Sequence, residues 1–167
     1  ETGAEVFPDL HVKVVKEIVS TGGKLESIPI SATSKGYLTP SEFHSAVAAH
    51  SSSPSPSTLL IDCRNSKEVA IGTFANSLNP NTKTFHEFPT WVDKNASKLT
   101  SCSQILMFCT GGVRCEKASA YVRSRLPSGG PTVHHLRGGV HKYLEEYGGG
   151  GHFKGKNFVF DSRQGMA

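Results

Sequence analysis

Short β-type runs alternating with helical patterns constrain this chain more than any other feature. Thr58-Leu59-Leu60-Ile61 is an apolar run ended by Asp62, Gln104-Ile105-Leu106-Met107-Phe108 is a second, and Thr132 to Leu136 reads as a third strand. A helical pattern follows each. Asn65-Ser66-Lys67-Glu68 has the cap-plus-acid spacing of a helix start. Glu116 to Leu126 puts Ala118, Tyr121, Val122 and Leu126 on one helical face, and Gly139 to Tyr147 forms a last helix. Strands apolar on both faces, alternating with helices, predict an α/β fold with a central parallel sheet flanked by helices.

Around this repeat the remaining elements are less regular. Thr39-Pro40-Ser41-Glu42 combines a cap, a proline suited to the first helical position and a capping-box acid, opening a helix through Phe43, Val47 and Ala48 to about His50. Ser51 to Ser57 is a Ser/Pro surface loop, Phe85 to Leu99 is helical with an interruption around Pro89, and Pro127 to Pro131 is a turn. Gly148 to Gly151 reads as a flexible break, and Asn157 to Phe160 as one more extended segment. Residues 11–19 are β-branched and partly alternating, which predicts an extended segment ended by Gly22-Gly23. The polar stretch that follows to about Ser34 is expected to act as a strap or linker outside the core.

Composition limits the alternatives. The 167 residues suffice for one domain, and four cysteines are too few for a disulfide scaffold. No apolar run reaches the ~18–20 residues of a membrane-spanning helix. The net charge of +4 permits an acidic partner without requiring one.

The chemistry concentrates in Cys109-Thr110-Gly111-Gly112-Val113-Arg114-Cys115, between a strand and a helix. Ligands of open α/β sheets bind beyond the carboxyl ends of strands. Two glycines let successive N–H groups turn inward, the helix adds the positive end of its dipole, and Arg114 closes the ring as an anion clamp. A cysteine at the base of such a cradle is expected to be largely thiolate and therefore nucleophilic.

Cys109 to Arg114 resembles the Cys-x4-Arg active loop of rhodanese domains, and Asp62-Cys63-Arg64 sits where those domains carry Asp-x-Arg. The resemblance narrows with Ile71-Gly72-Thr73-Phe74, Asn79 to Phe85, Glu87-Phe88-Pro89, Cys109 to Tyr121, His135-Leu136-Arg137-Gly138-Gly139 and Phe158-Val159-Phe160-Asp161. These blocks are similar to the rhodanese-like domain of the tRNA uridine hydroxylase family. The resemblance implies a single rhodanese domain over residues 35–163, preceded by an extended segment over residues 1–34 and followed by a tail over residues 164–167. Full-length members of that family carry a further domain before the rhodanese-like one, and residues 5–20 resemble its closing segment. The chain therefore reads as one domain of a longer protein.

Carried over, the resemblance makes Cys109 the catalytic nucleophile, with Thr110, Gly111, Gly112, Val113 and Arg114 as its anion cradle. It implies a sulfurtransferase, with a persulfide sulfur on Cys109, or a cysteine-dependent modification of the tRNA wobble uridine. Asp62 and Arg64 would hold the loop in place. Cys115 has two readings, a resolving thiol for Cys109 or a small residue packed in the first helical turn. Cys63 is assigned to packing, with the site as the alternative, and Cys102 is expected to be inert. His135 and Arg137 are expected at the site rim. Lys117, Arg123 and Arg125 form either a phosphate-attracting face or a solvated one. The histidines lack metal-ligand spacing, so neither a metal nor a bound cofactor is expected in this domain. A sulfur donor such as thiosulfate is the expected partner, with tRNA only for the full-length protein and no membrane. Reduced, reactive thiols place the expected location in the cytoplasm, with an organelle as the alternative. Two other functions compete: a non-catalytic docking module, which an intact Cys109 disfavours, and a phosphatase. Phosphatases of related fold use a wider Cys-x5-Arg ring, whereas four residues separate Cys109 from Arg114 here.

Overall fold

The computed structural model describes residues 12–33, 35–52 and 57–158. In chain order its elements are α1 (Ile30–Thr33), β1 (Tyr37–Leu38), α2 (Pro40–Ser52), β2 (Thr58–Asp62), α3 (Ser66–Ile71), β3 (Gly72–Phe74), α4 (Phe88–Lys94), α5 (Ala96–Thr100), β4 (Gln104–Phe108), α6 (Val113–Arg125), β5 (Thr132–Leu136), α7 (Gly139–Glu146) and β6 (Phe153–Gly155). A 3-10 turn, Phe85–Glu87, precedes α4. The main sheet has the order β1-β5-β4-β2 with every pair parallel, as the alternating pattern predicts.

Side chains of neighbouring strand residues point to opposite faces, and here both faces are buried. Leu60, Leu106, Phe108 and Leu136 enter one core with Phe43 and Val47 of α2 and Val140 and Tyr143 of α7. Ile61, Ile105, Met107 and Val133 enter the other with Phe88, Val92 and Leu99 of α4 and α5 and Ala118, Tyr121 and Val122 of α6. The same alternation carries past the strand ends. Cys63 and Cys109, two residues beyond Ile61 and Met107, join the α6 side of the sheet.

Several expectations are corrected. The segment after residue 20, expected outside the core, enters it: Leu25 is fully buried and Gly22 and Gly23 turn the chain with positive φ. Pro89 does not interrupt a helix, because it lies in the first turn of α4, where its missing N–H is no loss. The break falls at Asn95, whose N–H donates to Trp91 and Val92 while its carbonyl starts α5 by accepting from Leu99. α6 begins at Val113 rather than Glu116. Gly148 to Gly151 is a turn closed by Gly150 N–H to Tyr147 O (2.7 Å) and Phe153 N–H to Gly150 O (2.9 Å). Asn157 and Phe158 are not in a strand, and residues 159–160 lie outside the described ones. The extra strand is β6, which pairs antiparallel with β3. Of the Ser51–Ser57 loop, Ser51 and Ser52 end α2, Ser57 lies in a turn, and residues 53–56 lie outside the described ones.

Candidate active site

Cys109 follows directly from β4, and its carbonyl is already committed. The N–H groups of Val140 and His141, at the start of α7, donate to the carbonyls of Cys109 (2.8 Å) and Thr110 (3.0 Å). With these oxygens held outward, the loop presents N–H groups inward, and Gly112 N–H reaches Cys109 Sγ at 3.2 Å. Gly112 has φ of 88°, and a Cβ there would sit 3.1 Å from Gly138 N. This is the position that requires glycine. Gly111 does not: a Cβ added to it meets nothing within 4 Å. Of the two glycines expected to shape the cradle, only one is needed for backbone conformation. Gly139 closes the approach from the α7 side, since a Cβ there would lie 2.4 Å from Cys109 O.

Arg114 faces a partner that sequence reasoning missed. Glu68, fully buried, accepts from Arg114 Nη2 at 2.6 Å and Nη1 at 2.7 Å in a bidentate fork. Its carboxylate also accepts from Thr110 Oγ1 (2.7 Å) and from Asn65 N–H (3.0 Å). Thr110 Oγ1 in turn accepts from Arg114 Nη2 at 3.0 Å. Glu68 therefore plays two parts. As the third helical residue it completes the capping box with Asn65 that the sequence shows, and its other oxygen contacts brace the loop. Burial would push its carboxyl up, but the Arg114 hydrogen bonds and charge, with Thr110 and Asn65, hold it below the ordinary carboxylate range. Arg114 is thus first a brace of the ring, and it acts on the sulfur through its charge.

The electrostatics at Cys109 follow from these contacts. Burial alone would raise its thiol. A hydrogen bond with Cys115, the Arg114 charge, and the N–H groups of Cys115 and Gly112 outweigh burial and bring it down to about 6. Cys109 is thereby mainly thiolate at neutral pH. It lies at the base of a pocket of about 470 Å³, walled by Thr110, Gly111, Val113 and Arg114 on one side and Ile18, Val19 and Ser20 on the other. The strap before the sheet thus forms part of the entrance. It is fastened to the domain by Ser20 to His86 (2.6 Å) and shaped locally by Glu17 accepting from Thr21 N–H (2.8 Å).

The other sequence candidates fall in different places. Cys115 is buried in the first turn of α6, hydrogen-bonded to both Cys109 and Cys63. Cys63 is buried and packed in the core, as expected, but it also touches the site through Cys115. Cys102 is buried against Leu99 O, away from the loop. Asp62 and Arg64 form a fully buried bidentate pair, Nε to Oδ1 at 2.9 Å and Nη2 to Oδ2 at 2.7 Å. They do not hold the Cys109 loop directly. Arg64 donates to Gly72 O and Asp62 accepts from Thr73 Oγ1 (2.7 Å), so the pair fixes β3 to the end of β2.

His135 is not at the rim. It is fully buried, because β1 lies alongside β5 there and the Tyr37 ring covers it at 4.4 Å. Burial, with Arg123 and His134 nearby, pushes its imidazole down to about 4. Arg137 packs over the Tyr37 ring, 5.3 Å from its centroid. Arg123 donates to the carbonyls of Val133, Ala32 and Lys35, tying α6 to the chain before β1, and Arg125 pairs with Asp93 at 3.0 Å. Arg123 is thus a structural tie, whereas Arg125 sits half-exposed in a surface ion pair. Among the described residues no group of three or more His, Cys, Asp or Glu side chains could hold a metal ion, and no helix is long and apolar enough to cross a membrane.

Comparison with known proteins adds four findings. The family described as Rhodanese-like domain matches residues 41–146. The chain is 43% identical over 158 residues to the tRNA uridine(34) hydroxylase of Rhizobium leguminosarum bv. trifolii, covering 94% of this chain and 47% of that protein. It is 42% identical over 164 residues to Rhodanese-like domain-containing protein 6 of Arabidopsis thaliana, covering 94% of this chain and 28% of that protein. The chain thus spans about half the length of the bacterial relative and less than a third of the plant one. A solved Saccharomyces cerevisiae structure, a homolog of single-domain rhodanese and of the Cdc25 phosphatase catalytic domain, superposes with a TM-score of 0.54 at 14% identity, covering 73% of this chain and 88% of that chain. That likeness concerns the fold alone.

Proposed function

The chain belongs to the rhodanese-like domain family, and on that premise we propose that it is a catalytic domain whose Cys109 thiolate accepts a sulfane sulfur. The observation that carries this reading is the pairing of Gly112 N–H with Cys109 Sγ at 3.2 Å in a ring braced by Glu68 and Arg114. With thiosulfate as donor, Cys109 Sγ attacks the outer sulfur, the sulfur–sulfur bond breaks, and sulfite leaves with the electron pair. The product is a persulfide on Cys109 that carries the negative charge. Inward N–H groups and the Arg114 charge stabilise that charge without reorganising, which is the source of their catalytic value. A nucleophilic acceptor then takes the outer sulfur and returns Cys109 to thiolate. No bound cofactor enters these steps.

The relatives named tRNA uridine(34) hydroxylase, at about 42% identity over nearly the whole chain, support placing this domain in a larger protein that modifies the wobble uridine of tRNA. In that setting Cys109 is the essential cysteine, and tRNA is the partner of the full-length protein. A reduced, cytoplasm-like environment suits a thiolate of this kind.

Incubation with thiosulfate, read by intact mass, tests the reaction. One added sulfur is expected on the wild-type chain and none on Cys109→Ala, with thiocyanate formed when cyanide is the acceptor. Absence of both adduct and thiocyanate would sink the sulfurtransferase reading. The tRNA reading is tested in the full-length protein: equal failure of wild type and Cys109→Ser to restore the modified wobble uridine would overturn it.

A further inference from the structure

The site contains two thiols that the sulfur-transfer reading leaves unused. β2 and β4 are adjacent and parallel, with Asp62 in register with Phe108, and Cys63 N–H continues the ladder to Phe108 O at 2.9 Å. Cys63 and Cys109 are therefore cross-strand neighbours on the same face of the sheet. Adjacent strands lie ~4.8 Å apart, so the two cysteines stand side by side in the same core cluster as Cys115 of α6. Cys115, in the first turn of α6, lies over both and hydrogen-bonds to both sulfurs. All three are buried, and only Cys109 lines the pocket.

We propose that Cys109, Cys115 and Cys63 form a three-thiol relay that moves an oxidising equivalent from the pocket to a buried Cys63–Cys115 disulfide and restores the Cys109 thiolate. The inference rests on Cys109 being the accessible nucleophile, as the proposed function requires, and adds an oxidant of the hydroperoxide class. Cys109 Sγ attacks the outer peroxide oxygen, the O–O bond breaks, and the alkoxide or hydroxide leaves and takes a proton. Sulfur has been oxidised to a sulfenic acid and the peroxide reduced. Cys115 Sγ then attacks that sulfur, a Cys109–Cys115 disulfide forms, and water leaves with the Cys115 proton. Finally Cys63 Sγ attacks Cys115 Sγ. The Cys109–Cys115 bond breaks, Cys109 leaves as thiolate, and the Cys63 proton passes to solvent.

The last exchange has a physical direction. The better leaving group in a disulfide is the thiol of lower pKa. Cys109 is the thiol held down, to about 6, whereas burial pushes Cys63 and Cys115 up. The Gly112 N–H and the ring around Arg114 receive the departing thiolate. An external dithiol reductant of the cell would reopen the buried disulfide.

Stoichiometric hydrogen peroxide, followed by alkylation and non-reducing peptide mapping of the 167-residue chain, tests the relay. In wild type a Cys63–Cys115 link is expected to accumulate while Cys109 regains its reactivity toward alkylating reagent and its thiosulfate adduct. In Cys63→Ser, and in Cys63→Ala as the second variant, oxidation should stop at Cys109–Cys115 with loss of Cys109 alkylation. Cys115→Ser should drive Cys109 to sulfinic acid. A wild-type map that ends at Cys109–Cys115, or sulfinic acid formed on Cys109 as fast in wild type as in Cys115→Ser, would overturn the relay. So would a Cys63–Cys115 link that forms equally in Cys109→Ser. The thiosulfate adduct on unoxidised protein is read separately, so loss of the relay and loss of the sulfur-transfer reading are distinguishable.

Discussion

Asp62-Cys63-Arg64 and Cys109 to Arg114 lie at the carboxyl ends of two adjacent parallel strands, and each combines a buried cysteine with an arginine held in a carboxylate fork. Their thiols nevertheless shift in opposite directions. Burial pushes Cys63 up, and burial acts on Cys109 the same way. The difference lies in what is aimed at the sulfur. At Cys109 a left-handed Gly112 turns an N–H inward and Arg114 stands close; at Cys63 the arginine turns away to Asp62 and Gly72 O. Activation here comes from oriented donors and a near charge, with burial opposing it.

Three experiments break or sharpen that contrast. The largest effect is expected from removing either arginine. Arg64→Met strands the buried Asp62 carboxylate and Arg114→Met strands Glu68, each costing about 3–5 kcal/mol in urea denaturation. Only Arg114→Met should also move the reactivity of Cys109, so equal effects on the thiol would erase the distinction between the two loops.

The next effect is on pH dependence. A group held down to about 6 is protonated below that pH and thiolate above it, so Cys109 alkylation should rise with pH through about 6 and then plateau. Cys63 should react only in alkaline solution, because its thiol is pushed above its ordinary value. Arg114→Met should shift the Cys109 midpoint upward. A midpoint unchanged in that variant, measured by mass-resolved alkylation, would show that the backbone donors suffice without the charge.

The smallest effect separates the two glycines. Gly112→Ala forces a side chain into the left-handed region at φ of 88°, costing roughly 1–2 kcal/mol and displacing the N–H from the sulfur. Gly111→Ala meets open space and should leave both the melting temperature and the rate of persulfide formation unchanged. A loss in Gly111→Ala as large as that in Gly112→Ala would mean that the loop needs flexibility rather than one fixed conformation.

Much of the fold was legible because its signals are local. The runs at Thr58 and Gln104 fall on β2 and β4, and the cap residues Thr39 and Asn65 open α2 and α3 as their spacing predicts. The start of α6 was misplaced by three residues because Gly112, rather than an acidic capping residue, begins it. β3 and β6 escaped notice because a three-residue pair has no readable period and depends on Arg64 holding Gly72 in place. Within the site, the thiol, its glycine and its arginine were visible as a contiguous motif. Glu68 was visible only as a helix-start residue.

By itself the sequence determined the alternation of strands and helices, and it put a cysteine, a required glycine and an arginine at the end of β4. Those are local properties, set by periodicity and by the conformations each residue allows. Tertiary structure decided the rest. Glu68 reaches Arg114 across 46 residues, and the α7 N–H groups reach the carbonyls of the loop. Likewise Cys63 comes beside Cys109 through strand pairing. None of these partners has a signature in its own segment, because each contact exists only after the sheet has brought distant strand ends together.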